Sequence, residues 1–124
     1  MITNPHLLPK IRSEKIMQAA NGQPCSLRIA SFIPGRKCAP QATVVGCHLP
    51  TIGKGMGTKV TDLAVVFGCQ ACHDILDGRD RAGAQYLMDN YPTAVATRLT
   101  DALVETQARL VGMGIIHVEG GEVI

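Results

Sequence analysis

The sequence predicts one α+β domain: a two-stranded hairpin followed by helices, with a four-cysteine metal site and a long C-terminal helix. Three observations carry this. Two short β-branched and apolar runs, Thr43–Cys47 and Leu63–Phe67, flank a glycine-rich stretch. A Cys69-Gln70-Ala71-Cys72-His73 motif follows the second run, where a helix is due to begin. Further on, Val95, Leu99, Ala102 or Leu103, Thr106 and Leu110 recur at helical spacing.

In order along the chain, residues 1–9 read as a loose arm and Lys10–Ala20 as a short helix, with Ile11 and Ile16 on one face. Asn21-Gly22-Gln23-Pro24 ends that helix. Ser26–Ala30 alternates enough for a short strand, and Pro34-Gly35-Arg36-Lys37 is a turn. Thr43–Cys47 is a strand that reaches His48. Leu49–Thr61, with Pro50, three glycines, Lys54 and Lys59, is a basic loop leading to the second strand. Cys69 opens a turn, a helix begins at Cys72–Leu76, and Gly78-Arg79-Asp80-Arg81 interrupts it. Gly83–Tyr91 is a further short helix. Thr93 is placed to cap the long helix over about 93–112, which Gly112 and Gly114 end; Ile115–Val118 reads as an edge strand. The expected organisation is an arm and helix over 1–20, then one domain over 21–124 with its core at about 25–78.

Composition narrows the chemistry. Aromatic residues make up 3 % of the 124 residues and Trp is absent, so the core rests on aliphatic side chains and a structural metal would add useful stability. The N-terminus does not read as a signal peptide, and no apolar run approaches the roughly 18–20 residues of a membrane span. The expectation is a cytoplasmic protein with no membrane partner, whose five cysteines are metal ligands or thiols rather than bridges. Oligomeric state is not legible. Residues 1–68 carry eight Lys/Arg against two Asp/Glu, whereas residues 69–124 carry four against eight. The basic half suits a phosphate-rich partner, and equally an ordinary solvated surface.

The cysteines point to zinc. Cys69-x-x-Cys72 sets two thiolates on one tight turn, and Cys25 and Cys38, each beside a turn, supply a second pair for a tetrahedral site. The alternative is that Cys25 and Cys38 are small buried residues. Cys69–His73 also matches the attachment motif of c-type haem, but haem would require export, and Cys25 and Cys38 would go unexplained, so haem is not expected. Asp77 follows His73 at i+4 on the same helical face, so the two can share a divalent ion. His48, across the hairpin, is then placed to act as a general base on water.

The order of His48, Asp62-Leu63, Cys69-x-x-Cys72 and His73 resembles the HNH (ββα-metal) endonucleases. With Cys25-x-Leu-Arg-Ile, Cys38 and His73-Asp74-x-x-Asp77 added, it looks more closely like the small YbcO-like nucleases of phages and prophages. The match spans about Lys15 to Asp77 and, loosely, the C-terminal helix. It implies an HNH-like core with structural Zn²⁺ and a catalytic divalent ion (Mg²⁺, Mn²⁺, Ni²⁺ or Zn²⁺), acting on DNA in the host cytoplasm. His48 matches the general base, Asp62 the residue that orients it, His73 a metal ligand and Asp77 a further one. Lys10, Arg12, Lys15, Lys54 and Lys59 are the candidates for holding the phosphate backbone. Asp62 stands where Asn is typical, and Cys47 stands where Asp or His often binds the metal. The alternative is a non-catalytic zinc module that grips nucleic acid or a protein; it needs the four cysteines but not His48 or Asp77.

Overall fold

The structure is a computed structural model and describes residue 4 and residues 7–51 and 60–124. Lys54 and Lys59 therefore lie outside the described residues. It is a mixed α+β arrangement with a small two-stranded sheet and a long C-terminal helix. Helix α1 (Glu14–Ala19) starts four residues later than its sequence pattern suggests. Ser13 sets that start: its side chain accepts from the Ile16 N–H at 3.2 Å, leaving exposed Ile11 outside the helix. Ile16 and Ala20 anchor α1 in the core.

Strand β1 (Val45–His48) pairs antiparallel with β2 (Val65–Gly68), and His48 stands opposite Val65. The Leu49 N–H to Ala64 carbonyl bond, 3.0 Å, extends the pairing by one step. The second strand is therefore shifted from the run Leu63–Phe67: Leu63 belongs to a 3₁₀ turn, Asp62–Ala64, that delivers the chain into β2. β2 is buried along its whole length, and Phe67 is the largest fully buried side chain.

The strand expected over Ser26–Ala30 does not form. The Ser26 and Leu27 N–H groups both donate to the Phe67 carbonyl, at 2.7 and 3.2 Å, and Arg28 takes a left-handed φ of 47°. The segment wraps around a cysteine sulfur instead of running beside β2. Ile115–Val118 is likewise not a strand, because the Ile115 and Ile116 N–H groups turn back to the Leu110 carbonyl.

Helix α2 (Gln70–Leu76) begins directly after Cys69, two residues earlier than expected, and stops at Gly78 with φ 77°. Helix α3 (Arg81–Asn90) is capped by the Asp80 carboxylate on the Gly83 N–H at 2.9 Å. Helix α4 (Pro92–Gly112) opens on proline at its first turn rather than on a Thr93 cap. Ala102, Thr106 and Leu110 are its buried face, and the Thr106 hydroxyl accepts from the Phe67 N–H at 3.2 Å, which ties α4 to β2. Among the described residues no helix is long and apolar enough to cross a membrane.

Candidate active site and metal centre

Two groups of chemically active side chains lie on this frame. The first joins Cys25, Cys38, Cys69 and Cys72, whose sulfurs all lie within 4.8 Å of one another. Cys69 precedes α2 and Cys72 sits in its first turn, while Cys25 and Cys38 come from the loops before β1. Backbone N–H groups converge on the sulfurs. Those of Arg28 and Cys69 donate to Cys25 at 3.4 and 3.3 Å, that of Ala30 to Cys72 at 3.4 Å, and that of Ala39 to Cys69 at 3.3 Å. Arg28 itself takes a left-handed φ of 47°.

The four sulfurs could hold a metal ion. A tetrahedral ion with thiolate bonds of about 2.3 Å requires sulfurs about 3.8 Å apart, and Cys38 and Cys72 stand 3.8 Å apart. Without a cation the thiols compete for ionisation. Hydrogen bonding with Cys72 pulls Cys25 down to about 4, and the same contact together with burial drives Cys72 upward. Burial and the neighbouring sulfurs push Cys38 up to about 12. A bound cation removes this competition, because it stabilises every thiolate at once.

The second group lies at the end of the hairpin where residues 49–64 connect the strands. His48 ends β1, and its Nε2 lies 2.8 Å from Asp62 Oδ1. The other Asp62 oxygen, Oδ2, accepts from the Ser13 backbone N–H at 2.6 Å. Burial raises the Asp62 carboxyl, but the Ser13 N–H, His48 and Arg12 outweigh it and hold the group below the usual carboxylate range. A cleft of about 390 Å³ opens beside this pair, lined by Arg12, Glu14, Met17, His48, Val60 and Asp62.

On α2, His73 Nε2 lies 2.9 Å from Asp77 Oδ2, and the Arg79 guanidinium lies 2.9 Å from the same oxygen. Two ligands at about 2.1 Å from one ion, at right angles, stand about 3.0 Å apart, so the His73–Asp77 spacing suits a shared cation as well as a hydrogen bond. Arg79 would have to yield its place.

The structure thus brings together Cys25, Cys38, Cys69 and Cys72; His48 and Asp62; and His73 and Asp77. Arg12 lines the cleft beside His48, while Lys10 and Lys15 are exposed and do not line it. Cys47 fills a core position: it is 1 % exposed, and its sulfur lies 3.5 Å from the Val45 carbonyl oxygen and 3.9 Å from that of Gly68. Sequence reasoning missed Glu14, Met17 and Val60 as lining of the cleft and Ser13 as the partner of Asp62, since only folding brings residues 13 and 62 together. It also missed Arg28, which donates to the Cys25 carbonyl at 3.0 Å and to Glu105 on α4 at 2.8 Å. Strand alternation was the available signal for Cys47, because it sends neighbouring side chains to opposite faces.

The family model "Putative nuclease YbcO" matches residues 14–114, and the chain belongs to that family. Two curated relatives, each named "Putative nuclease YbcO", come from Escherichia coli (strain K12) and Enterobacteria phage 82. Each is 37 % identical to this chain over 65 residues, a stretch covering 52 % of this chain and 64 % of the relative. No solved structure matches the chain.

Proposed function

We propose that the protein is a metal-dependent endonuclease of the HNH (ββα-metal) type that hydrolyses DNA phosphodiester bonds, encoded by a phage or prophage and working in the host cytoplasm. The observation that carries the reading is the His48–Asp62 pair at 2.8 Å, beside an open cleft and ahead of a helix that bears His73 and Asp77. The order strand, loop, strand, helix supports it, as does membership of a family whose relatives carry the name "Putative nuclease YbcO".

In this reading the nuclease domain is residues 21–124, with a core over about 25–78 and residues 1–20 leading into it. His48 takes a proton from the attacking water, and Asp62 orients the imidazole. His73 and Asp77 would hold a divalent ion (Mg²⁺, Mn²⁺, Ni²⁺ or Zn²⁺), which supplies charge stabilisation at the scissile phosphate and its leaving 3′ oxygen. Cys25, Cys38, Cys69 and Cys72 would hold a structural Zn²⁺ that fixes the start of α2 and, through it, His73. Arg12 reaches the phosphate beside His48, and Lys10, Lys15, Lys54 and Lys59 hold the flanking backbone without reading sequence.

The test is plasmid cleavage with each divalent metal in turn, comparing the wild type with His48→Ala. One observation favours a non-catalytic zinc module that grips nucleic acid or protein: Cys47, at a position where related nucleases often carry a metal ligand, is buried in the core. Under that reading the four cysteines still bind zinc, and neither wild type nor variant cuts DNA.

A further inference from the structure

The N-terminal segment before α1 is stitched to the turn that carries Asp62. The Ile11 N–H donates to the Thr61 hydroxyl at 3.1 Å, and the Asp62 N–H donates to the Ile11 carbonyl at 2.7 Å. The Ser13 N–H then donates to Asp62 Oδ2 at 2.6 Å. Ser13 is doubly used, because its hydroxyl also caps α1. Between the two pinned residues, Arg12 is presented to the cleft that His48 lines.

This arrangement constrains the histidine. Asp62 is 8 % exposed, and both of its oxygens are engaged. A backbone N–H can only donate, so Oδ2 is fixed as an acceptor. An ionised carboxylate has no proton to give, so Oδ1 must also accept, and the group facing it must be Nε2–H. In neutral His48 the ring lone pair then belongs to Nδ1.

We infer that Ile11–Ser13 is the positioning element of the His48 site, and that it makes residue 62 a carboxylate position where the isosteric amide fails. An asparagine at 62 has one accepting oxygen and one donating amide. With the oxygen toward His48, its NH₂ meets the Ser13 N–H, donor against donor. With the oxygen toward Ser13, its NH₂ faces Nε2, which must then become the acceptor and send the ring proton to Nδ1. Either outcome breaks the arrangement, so the Asn typical of related nucleases is not interchangeable with Asp62 here. The consequence for cleavage rests on the nuclease reading above; the consequence for the ring tautomer does not.

The test is long-range ¹H–¹⁵N correlation of the histidine rings in the full-length wild type, at a pH where His48 is neutral, alongside Asp62→Asn and Ser13→Ala. The wild type is expected to hold His48 as the Nε2–H tautomer, with the Ser13 amide proton shifted downfield. Asp62→Asn is expected to lose one of these signatures and to lower cleavage by roughly 10²-fold or more. Ser13→Ala removes the hydroxyl that caps α1 and keeps the backbone N–H, so it should keep the Nε2–H tautomer. A wild-type His48 in the Nδ1–H form overturns the inference, whether or not any variant folds. So does an Asp62→Asn protein with both signatures intact or with cleavage within threefold of wild type. Should the wild type show the expected tautomer and never cut DNA, the positioning inference stands and the nuclease reading fails.

Discussion

The cysteine cluster and the His48 cleft occupy the same small fold and are built in opposite ways. The cluster is closed: Cys69 and Cys72 are fully buried at the start of α2, four backbone N–H groups point at the sulfurs, and the loops before β1 supply Cys25 and Cys38. The cleft is open: the His48 side chain keeps 28 % of its exposure, and one wall comes from the N-terminal segment. A closed thiolate site holds structure, and an open imidazole–carboxylate site leaves room for a substrate. Helix α2 carries Cys72 into the cluster, and the next residue, His73, pairs with Asp77.

If the cluster is the structural half, breaking it should have the largest effect. Purified protein should carry about one zinc per chain, and chelation or Cys72→Ser should lower the melting temperature sharply. Structural zinc sites of this kind contribute on the order of 10 kcal/mol to folding. Zinc analysis with thermal melts checks this, and Cys25→Ser or Cys38→Ser with unchanged zinc content would remove those residues from the site.

The next largest effect tests the bridge between β2 and the helices. Leu110 is 1 % exposed, so Leu110→Ala should cost about 2–5 kcal/mol in chemical denaturation. Leu99 is only partly buried and should cost less. Thr106→Val should cost about 1–3 kcal/mol, because it strands the buried Phe67 N–H.

A smaller effect belongs to the cleft. The Asp62 carboxyl is held below its ordinary range, so it stabilises the fold fully above its unfolded value of about 4. That contribution fades as pH falls through the lowered folded value. Acid unfolding of Asp62→Asn should therefore depend less on pH in this window than that of the wild type; an unchanged profile would remove Asp62 as a contributor. The smallest effect is expected from Lys10→Ala and Lys15→Ala. Each should weaken DNA binding only slightly and reduce its salt dependence by about one phosphate contact, measured by titration at several salt concentrations.

The two regions also differ in how far the sequence discloses them. The cluster is legible because Cys-x-x-Cys chemistry is local, and Cys25 and Cys38 complete a familiar donor set. The hairpin and α4 follow from periodicity. The segment 26–30 misleads because its alternation suits a strand, yet the Arg28 N–H goes to the Cys25 sulfur and Arg28 takes a left-handed φ. Ile115–Val118 misleads similarly, since the end of α4 captures its N–H groups. His48 and Asp62 can be named from the motif order, but the Ser13 N–H that fixes Asp62 is 49 residues away and carries no side-chain signature.

The central claim, that His48 is the base of a metal-dependent nuclease, is tested most directly by supercoiled-plasmid cleavage across Mg²⁺, Mn²⁺, Ni²⁺ and Zn²⁺. The account predicts cleavage by wild type with at least one of these ions, and a loss of roughly 10²–10⁴-fold in His48→Ala with zinc content and DNA binding unchanged. A wild type that binds DNA and cuts with none of them, or a His48→Ala protein that cuts as fast as wild type, would contradict it.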